Sequence, residues 1–175
     1  MKTEKSTFEQ ELNRKGTITY TCKGVSMLPL LRQQRDLFTI TKREGRCKKY
    51  DVVLYKRADG AYVLHRVVKV LPDGYVILGD NCLNKEYGIC DAQILGVMTS
   101  FVRDGKEYSV ASRRYILYSK IWYALYPVRR AWKSSVAGAK RLVYRRIKRE
   151  SDRQEGNHSE RNECNCMAEK RYKKI

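Results

Sequence analysis

A mainly β, antiparallel body followed by a basic helical appendage is the architecture this sequence predicts. Three observations predict it. Between residues 17 and 110, short runs rich in β-branched and aromatic residues alternate with turn residues. At Arg113 the apolar spacing changes to a helical period. From Arg113 to Arg149 there are 12 basic residues and no acidic one, a share of the overall +18 charge that the β region does not match.

Taken in order, Phe8 to Arg14 reads as one or two helical turns with Ser6 or Thr7 as the cap. Thr17 to Cys22, Asp36 to Thr41 and Asp51 to Tyr55 read as strands. Ala61 to Leu71 and Tyr75 to Leu78 form a hairpin through Pro72-Asp73-Gly74, whose residues suit a tight turn. Ile94 to Val102 and Glu107 to Val110 make a second pair around Arg103-Asp104-Gly105-Lys106. These strands and the short first helix give an expected catalytic-size domain over 1–110. The appendage is expected over 111–149, with Pro127 breaking its helix, and a polar, charged tail over 150–175 is expected to be disordered.

Composition narrows the classes of function. Apolar residues make up 42 % of 175, enough for one hydrophobic core. No run reaches the ~18–20 apolar residues that a membrane-spanning helix needs, and Met1 to Gln10 lacks the apolar segment of a secretion signal. The expected location is therefore membrane-associated without a spanning helix, or cytoplasmic. Cys22, Cys47, Cys82, Cys90, Cys164 and Cys166 lack the paired spacing of a zinc site and read as reduced thiols. No metal or cofactor is expected.

Three segments carry chemistry. Gly24-Val25-Ser26-Met27-Leu28-Pro29 follows a strand directly and presents Ser26 at a turn, where backbone N–H groups can hold an oxyanion. Leu64-His65-Arg66-Val67-Val68 sets His65 in a strand, and imidazole is the side chain best suited to general-base work near neutral pH. Gly79-Asp80-Asn81 ends the hairpin partner of that strand and offers a carboxylate to orient the imidazole.

In this order the segments resemble the boxes of type I signal peptidases. Gly24 to Pro29 is similar to the nucleophile box, Leu64 to Val68 to the His-Arg-Val box, and Gly79 to Asn81 to the Gly-Asp-Asn box. Asp36 with Leu37 to Ile40, Asp51-Val52-Val53 and Ile94 to Val97 resemble the strands between and after them, with Arg35 and Tyr50 standing where the family has glycine. The resemblance covers roughly residues 17–103 and implies a serine endopeptidase that acts on a peptide or protein precursor. His65 in place of lysine implies the Ser/His branch, with Ser26 as nucleophile, His65 as base and Asp80 as the first choice of acid. Asp91 and Glu86 remain alternatives. Gly24, Met27 and Pro29 are implied as oxyanion and substrate-binding positions. Gly24 stands where the family often has a serine, and the family's usual membrane anchor is not expected from residues 1–175.

The basic stretch 113–149 offers a contact to an anionic membrane surface, with Trp122, Trp132 and several tyrosines beside Arg and Lys. Nucleic acid is the less expected partner. A silent peptidase-fold module that binds lipid or nucleic acid through this stretch is the alternative to an enzyme. A self-cleaving repressor ranks last, because its base is lysine and few residues precede the first strand.

Overall fold

The hairpin expected around Pro72-Asp73-Gly74 lies inside a larger sheet. In the computed structural model, which describes residues 7–136, 141, 144–146 and 148, eight strands form one antiparallel sheet. The strands are β1 (Thr17–Thr21), β2 (Leu37–Lys42), β3 (Val52–Lys56), β4 (Tyr62–Leu71), β5 (Gly74–Leu78), β6 (Glu86–Ile89), β7 (Ile94–Arg103) and β8 (Lys106–Ser109). Their spatial order is β1-β2-β7-β3-β4-β5-β6, and β8 pairs with β7. The mainly β class is as expected, and the strands agree with the expected ones to within a residue or two at each end. Strand β6 and a 3-10 turn at Asp91–Gln93 are additional to the elements read from the sequence.

Helix α1 (Phe8–Lys15) begins at Thr7, whose hydroxyl accepts from the Gln10 N–H while the Gln10 side chain accepts from the Thr7 N–H. This reciprocal cap satisfies two donors that a helix start leaves open. Leu12 is its buried residue and packs with Met27, Leu31, Ile40, Leu54 and Leu64 in the largest core cluster. A second cluster, with Val53, Tyr55, Val67, Tyr75 and Ile77, lies among residues of alternate parity on the same strands. Successive side chains of a strand point to opposite faces, so the two clusters occupy the two sides of the sheet.

Helix α2 (Arg113–Ala124) starts at Ser112, whose hydroxyl accepts from the Tyr115 N–H. It belongs to the β body: the chain divides into a compact unit ending at Tyr126 and a second one from Pro127 onward. Ser119 and Tyr126 are buried, while Ile116, Leu117, Ile121 and Leu125 are exposed. The stretch expected to be an appendage from 111 thus opens with a helix fixed to the sheet. In the second unit, residues 127–136 are helical, with Val128 and Trp132 exposed. The expected disordered tail, with Cys164 and Cys166, lies outside the described residues.

Candidate active site

Antiparallel register sets the site. Val53 on β3 lies opposite His65 on β4, and Tyr55 and the following Arg57 share the face of Val53. On the far side of β4, Ile77 of β5 lies opposite Glu86 of β6. The carboxylate of Glu86 thereby joins Tyr55, Arg57 and His65. His65 Nδ1 stands 3.1 Å from Glu86 Oε1 and 3.3 Å from the Tyr55 hydroxyl. The Tyr55 hydroxyl donates to Glu86 Oε2 at 2.7 Å, and Arg57 Nε donates to the same oxygen at 2.8 Å. A second Arg57 nitrogen donates to Oε1.

This arrangement fixes the tautomer of His65. The Tyr55 proton is already directed at Glu86, so the nearest acceptor for an N–H at Nδ1 is the carboxylate. The proton therefore sits on Nδ1, and Nε2 carries the lone pair. Burial lowers the His65 pKa below its ordinary value, and the Glu86 carboxylate partly opposes that shift. At neutral pH the imidazole is neutral. Burial pushes the Glu86 carboxyl up, but the Arg57 and Tyr55 hydrogen bonds outweigh it and hold the group below its ordinary value. Glu86 is therefore ionised where His65 would accept a proton.

Nε2 faces the Ser26 segment across Gly79. A Cβ placed on Gly79 would lie 2.8 Å from His65 Nε2, 2.9 Å from the Ser26 carbonyl oxygen and 2.7 Å from Cys82 Sγ. Glycine here is a requirement of close approach rather than of backbone angle, because a side chain would push the imidazole and the Ser26 loop apart. Asn81 clamps the same loop, its N–H donating to the Ser26 carbonyl at 2.7 Å and its side-chain amide to the Val25 carbonyl at 3.1 Å. Ser26 is half-buried, and among the described residues its hydroxyl has no hydrogen-bond partner. The backbone N–H groups of Ser26 and Met27 likewise meet no acceptor among the described residues. Two such donors beside a serine hydroxyl could hold a developing oxyanion.

Ser26 and His65 share the wall of a pocket of about 430 Å³. Gly24 and Met27 also line it, Gly24 exposed at the rim and Met27 buried beneath. Pro29 lies outside the lining, and its carbonyl accepts from Arg103 at 2.8 Å.

The three acids have different partners. Asp80, 3 % exposed, is held by Arg66 through two bonds of 2.7 Å each. Arg66 is the neighbour of His65 in β4 and so points to the other face, where it also donates to Ser119 at 2.8 Å and to the Tyr50 carbonyl at 3.0 Å. Trp122 of α2 donates to the Asp80 carbonyl at 2.9 Å. Asp80 thus fastens α2 to the sheet, and it affects His65 only as a more distant charge. Asp91 accepts from the Tyr75 hydroxyl at 2.6 Å and is paired with Arg43. Glu86 is the acid that touches His65.

Sequence reasoning missed Tyr55 and Arg57, and it named Asn81 as part of the Gly-Asp-Asn segment without its contact to the Ser26 loop. The signal for the first two is the alternation Val53, Tyr55, Arg57 on a strand paired with that of His65. For Asn81, no local pattern announces a clamp on a loop more than 50 residues away in the chain.

Comparison with protein-family models, with curated proteins and with solved structures finds no match. The chemistry of this site therefore rests on its own geometry.

Proposed function

We propose that the protein is a serine endopeptidase of the signal-peptidase type, acting on a peptide or protein precursor. The observation that carries this reading is that Glu86 stands beside His65 Nδ1 while His65 Nε2 and the Ser26 carbonyl both crowd Gly79, with Ser26 and His65 lining one pocket. In the proposed reaction, Ser26 Oγ attacks the carbonyl carbon of the scissile bond as Nε2 takes the hydroxyl proton. The oxygen of the tetrahedral intermediate accepts from the Ser26 and Met27 N–H groups. Collapse breaks the C–N bond, and the imidazolium returns its proton to the leaving amine. Water, deprotonated by the same Nε2, then hydrolyses the ester and restores Ser26. The negative charge of Glu86 stabilises the imidazolium in both halves.

The test is cleavage of a diverse peptide mixture by wild type and by Ser26→Ala, read by mass spectrometry. Cuts made by wild type should fall by several orders of magnitude in the variant. Equal cutting by both proteins would overturn the proposal.

A second reading, independent of catalysis, rests on the outer face of α2. Ile116, Leu117, Ile121 and Leu125 are 43–58 % exposed there, beside exposed Arg113, Arg114 and Lys120. Apolar side chains flanked by cations suit a helix lying at an anionic lipid surface. Among the described residues no helix is long and apolar enough to cross a membrane. The proposed location is therefore the face of a membrane, with the inner side of α2 on the sheet. Flotation with anionic vesicles should recover wild type but not Leu117→Glu/Ile121→Glu. Equal recovery of the two, or binding to RNA in place of vesicles, would remove lipid as the partner.

A further inference from the structure

We propose that Cys82 is a covalent modification site: its thiol, beside His65, forms a mixed disulfide with a small-molecule disulfide, and the adduct closes the proposed active site. The modification stands on the geometry of Cys82 and His65 alone, whereas its effect on cleavage rests on the peptidase reading.

A turn holds the thiol in place. The Cys82 N–H donates to the Gly79 carbonyl at 2.9 Å, so residues 79–82 close one tight turn. Both residues inside the turn are fastened. The Arg66 guanidinium grips the Asp80 carboxylate, Trp122 donates to the Asp80 carbonyl at 2.9 Å, and the Asn81 N–H donates to the Ser26 carbonyl at 2.7 Å. Cys82 Sγ lies 2.7 Å from the point where a Gly79 Cβ would stand, and His65 Nε2 lies 2.8 Å from the same point. Sulfur and nitrogen are therefore at most one water apart.

The imidazole makes this more than an isolated cysteine. His65 is 4 % exposed, its Nδ1 is engaged by Glu86 and Tyr55, and its Nε2 takes no hydrogen bond among the described residues. His65 and the half-buried Cys82 line the same pocket of about 430 Å³, so a small molecule that enters it meets the thiol and the base together. A thiol beside a base yields a reactive thiolate, and Glu86 stabilises the imidazolium that forms with it. The other described cysteines differ. Cys22 and Cys47 are buried, and burial pushes both thiols up to about 11. Cys90 is exposed, and its sulfur stands 3.4 Å from the amide oxygen of Gln93, which is not a base. It serves as the internal reference.

In the proposed step Nε2 takes the thiol proton and Sγ attacks one sulfur of the small disulfide. The new Sγ–S bond forms as the old S–S bond breaks, and the departing thiolate takes the proton from the imidazolium. Cys82 is oxidised, and the small disulfide is reduced to one thiol. The attached group then occupies the space in front of Nε2 and keeps a peptide from Ser26. Near neutral pH an ordinary thiol is only slightly ionised, and an imidazole that holds the ion pair raises the thiolate fraction more than it lowers the nucleophilicity of sulfur. The gain expected over an unassisted thiol is about threefold or more.

The test incubates the full chain with oxidised glutathione at neutral pH and follows each cysteine by non-reducing peptide mapping and mass spectrometry. Cys82 should acquire glutathione about threefold faster than Cys90, or more. His65→Ala should bring the Cys82 rate down and leave that of Cys90 as it was. Glu86→Gln, which keeps the imidazole and removes the charge behind it, should lower the Cys82 rate as well. Equal rates at Cys82 and Cys90 in wild type, or a Cys82 rate that neither substitution lowers, would overturn the inference. On a peptide that wild type cuts, oxidised glutathione should remove Ser26-dependent turnover and dithiothreitol should restore it, while turnover by Cys82→Ala should be indifferent to both. Full turnover by wild type modified at Cys82 would overturn the closure. Modification of Cys82 without Ser26-dependent cutting in either state removes the peptidase reading and keeps the modification site.

Discussion

Replacing Glu86 by glutamine keeps the shape of the side chain and removes its charge, which isolates what that charge does for His65. Two unit charges 3.1 Å apart, the separation of Glu86 Oε1 and His65 Nδ1, interact by about 5 kcal/mol at an effective dielectric near 20. Arg57 shares the same carboxylate and offsets part of this, which leaves about 3 kcal/mol of imidazolium stabilisation. At about 1.4 kcal/mol per decade, kcat/KM should fall roughly a hundredfold. The pH profile supplies an independent reading. Burial already lowers the His65 pKa, so the rise of kcat/KM with pH is centred below the ordinary histidine value of about 6.5. The Glu86 charge opposes that shift, so in Glu86→Gln the rise moves to still lower pH. Steady-state kinetics on a cleaved peptide between pH 4 and 9 measure both effects. An unchanged kcat/KM together with an unmoved acid limb would refute the assignment of Glu86 as the partner of His65.

Two further substitutions separate fold from chemistry. Asp80→Asn leaves the Arg66 guanidinium, 1 % exposed, without its countercharge, so the unfolding free energy from denaturant titration should fall by about 3 kcal/mol; wild-type stability would refute the anchoring role. Its acid limb should move to lower pH by less than that of Glu86→Gln, because Asp80 acts on His65 as a more distant charge. Gly79→Ala puts a methyl group within 3 Å of His65 Nε2, the Ser26 carbonyl and Cys82 Sγ, a cost of about 1–3 kcal/mol with a large loss of turnover. A Gly79→Ala variant as active as wild type would show that imidazole and loop need not approach so closely.

The β body was legible because its strands are rich in β-branched and aromatic residues and separated by turn residues such as Pro72-Asp73-Gly74. Strand β6 was not. Glu86–Ile89 is four residues long, carries a glycine and has no apolar alternation, so nothing local distinguishes it from a loop. That one omission decides the reading of the site. Without β6 the nearest acid to the His65 strand is Asp80, at the end of the hairpin partner. With it, Glu86 lies two strands from β4 and reaches His65. Asp80 looked suitable by sequence because it lies beside the right strand, but its side chain serves the opposite face. The α2 stripe shows a related limit. Periodicity identified the helix, while Tyr115, Ser119 and Trp122 face the sheet because they satisfy Arg66 and Asp80, and the more apolar Ile116, Leu117 and Ile121 do not. Polar partners, rather than hydrophobicity, chose the buried side.

His65 and Arg66 are adjacent in one strand and serve opposite faces of it. One carries the proposed proton transfer and the other holds the buried carboxylate beneath α2. A one-residue slip of β4 would turn the guanidinium toward the Tyr55 and Glu86 side and send the imidazole beneath the helix. Misregistered β4 would therefore lose its anchor together with its base, so a chain that has secured Arg66 against Asp80 has also aimed His65. The inert face thereby proofreads the reactive one during folding.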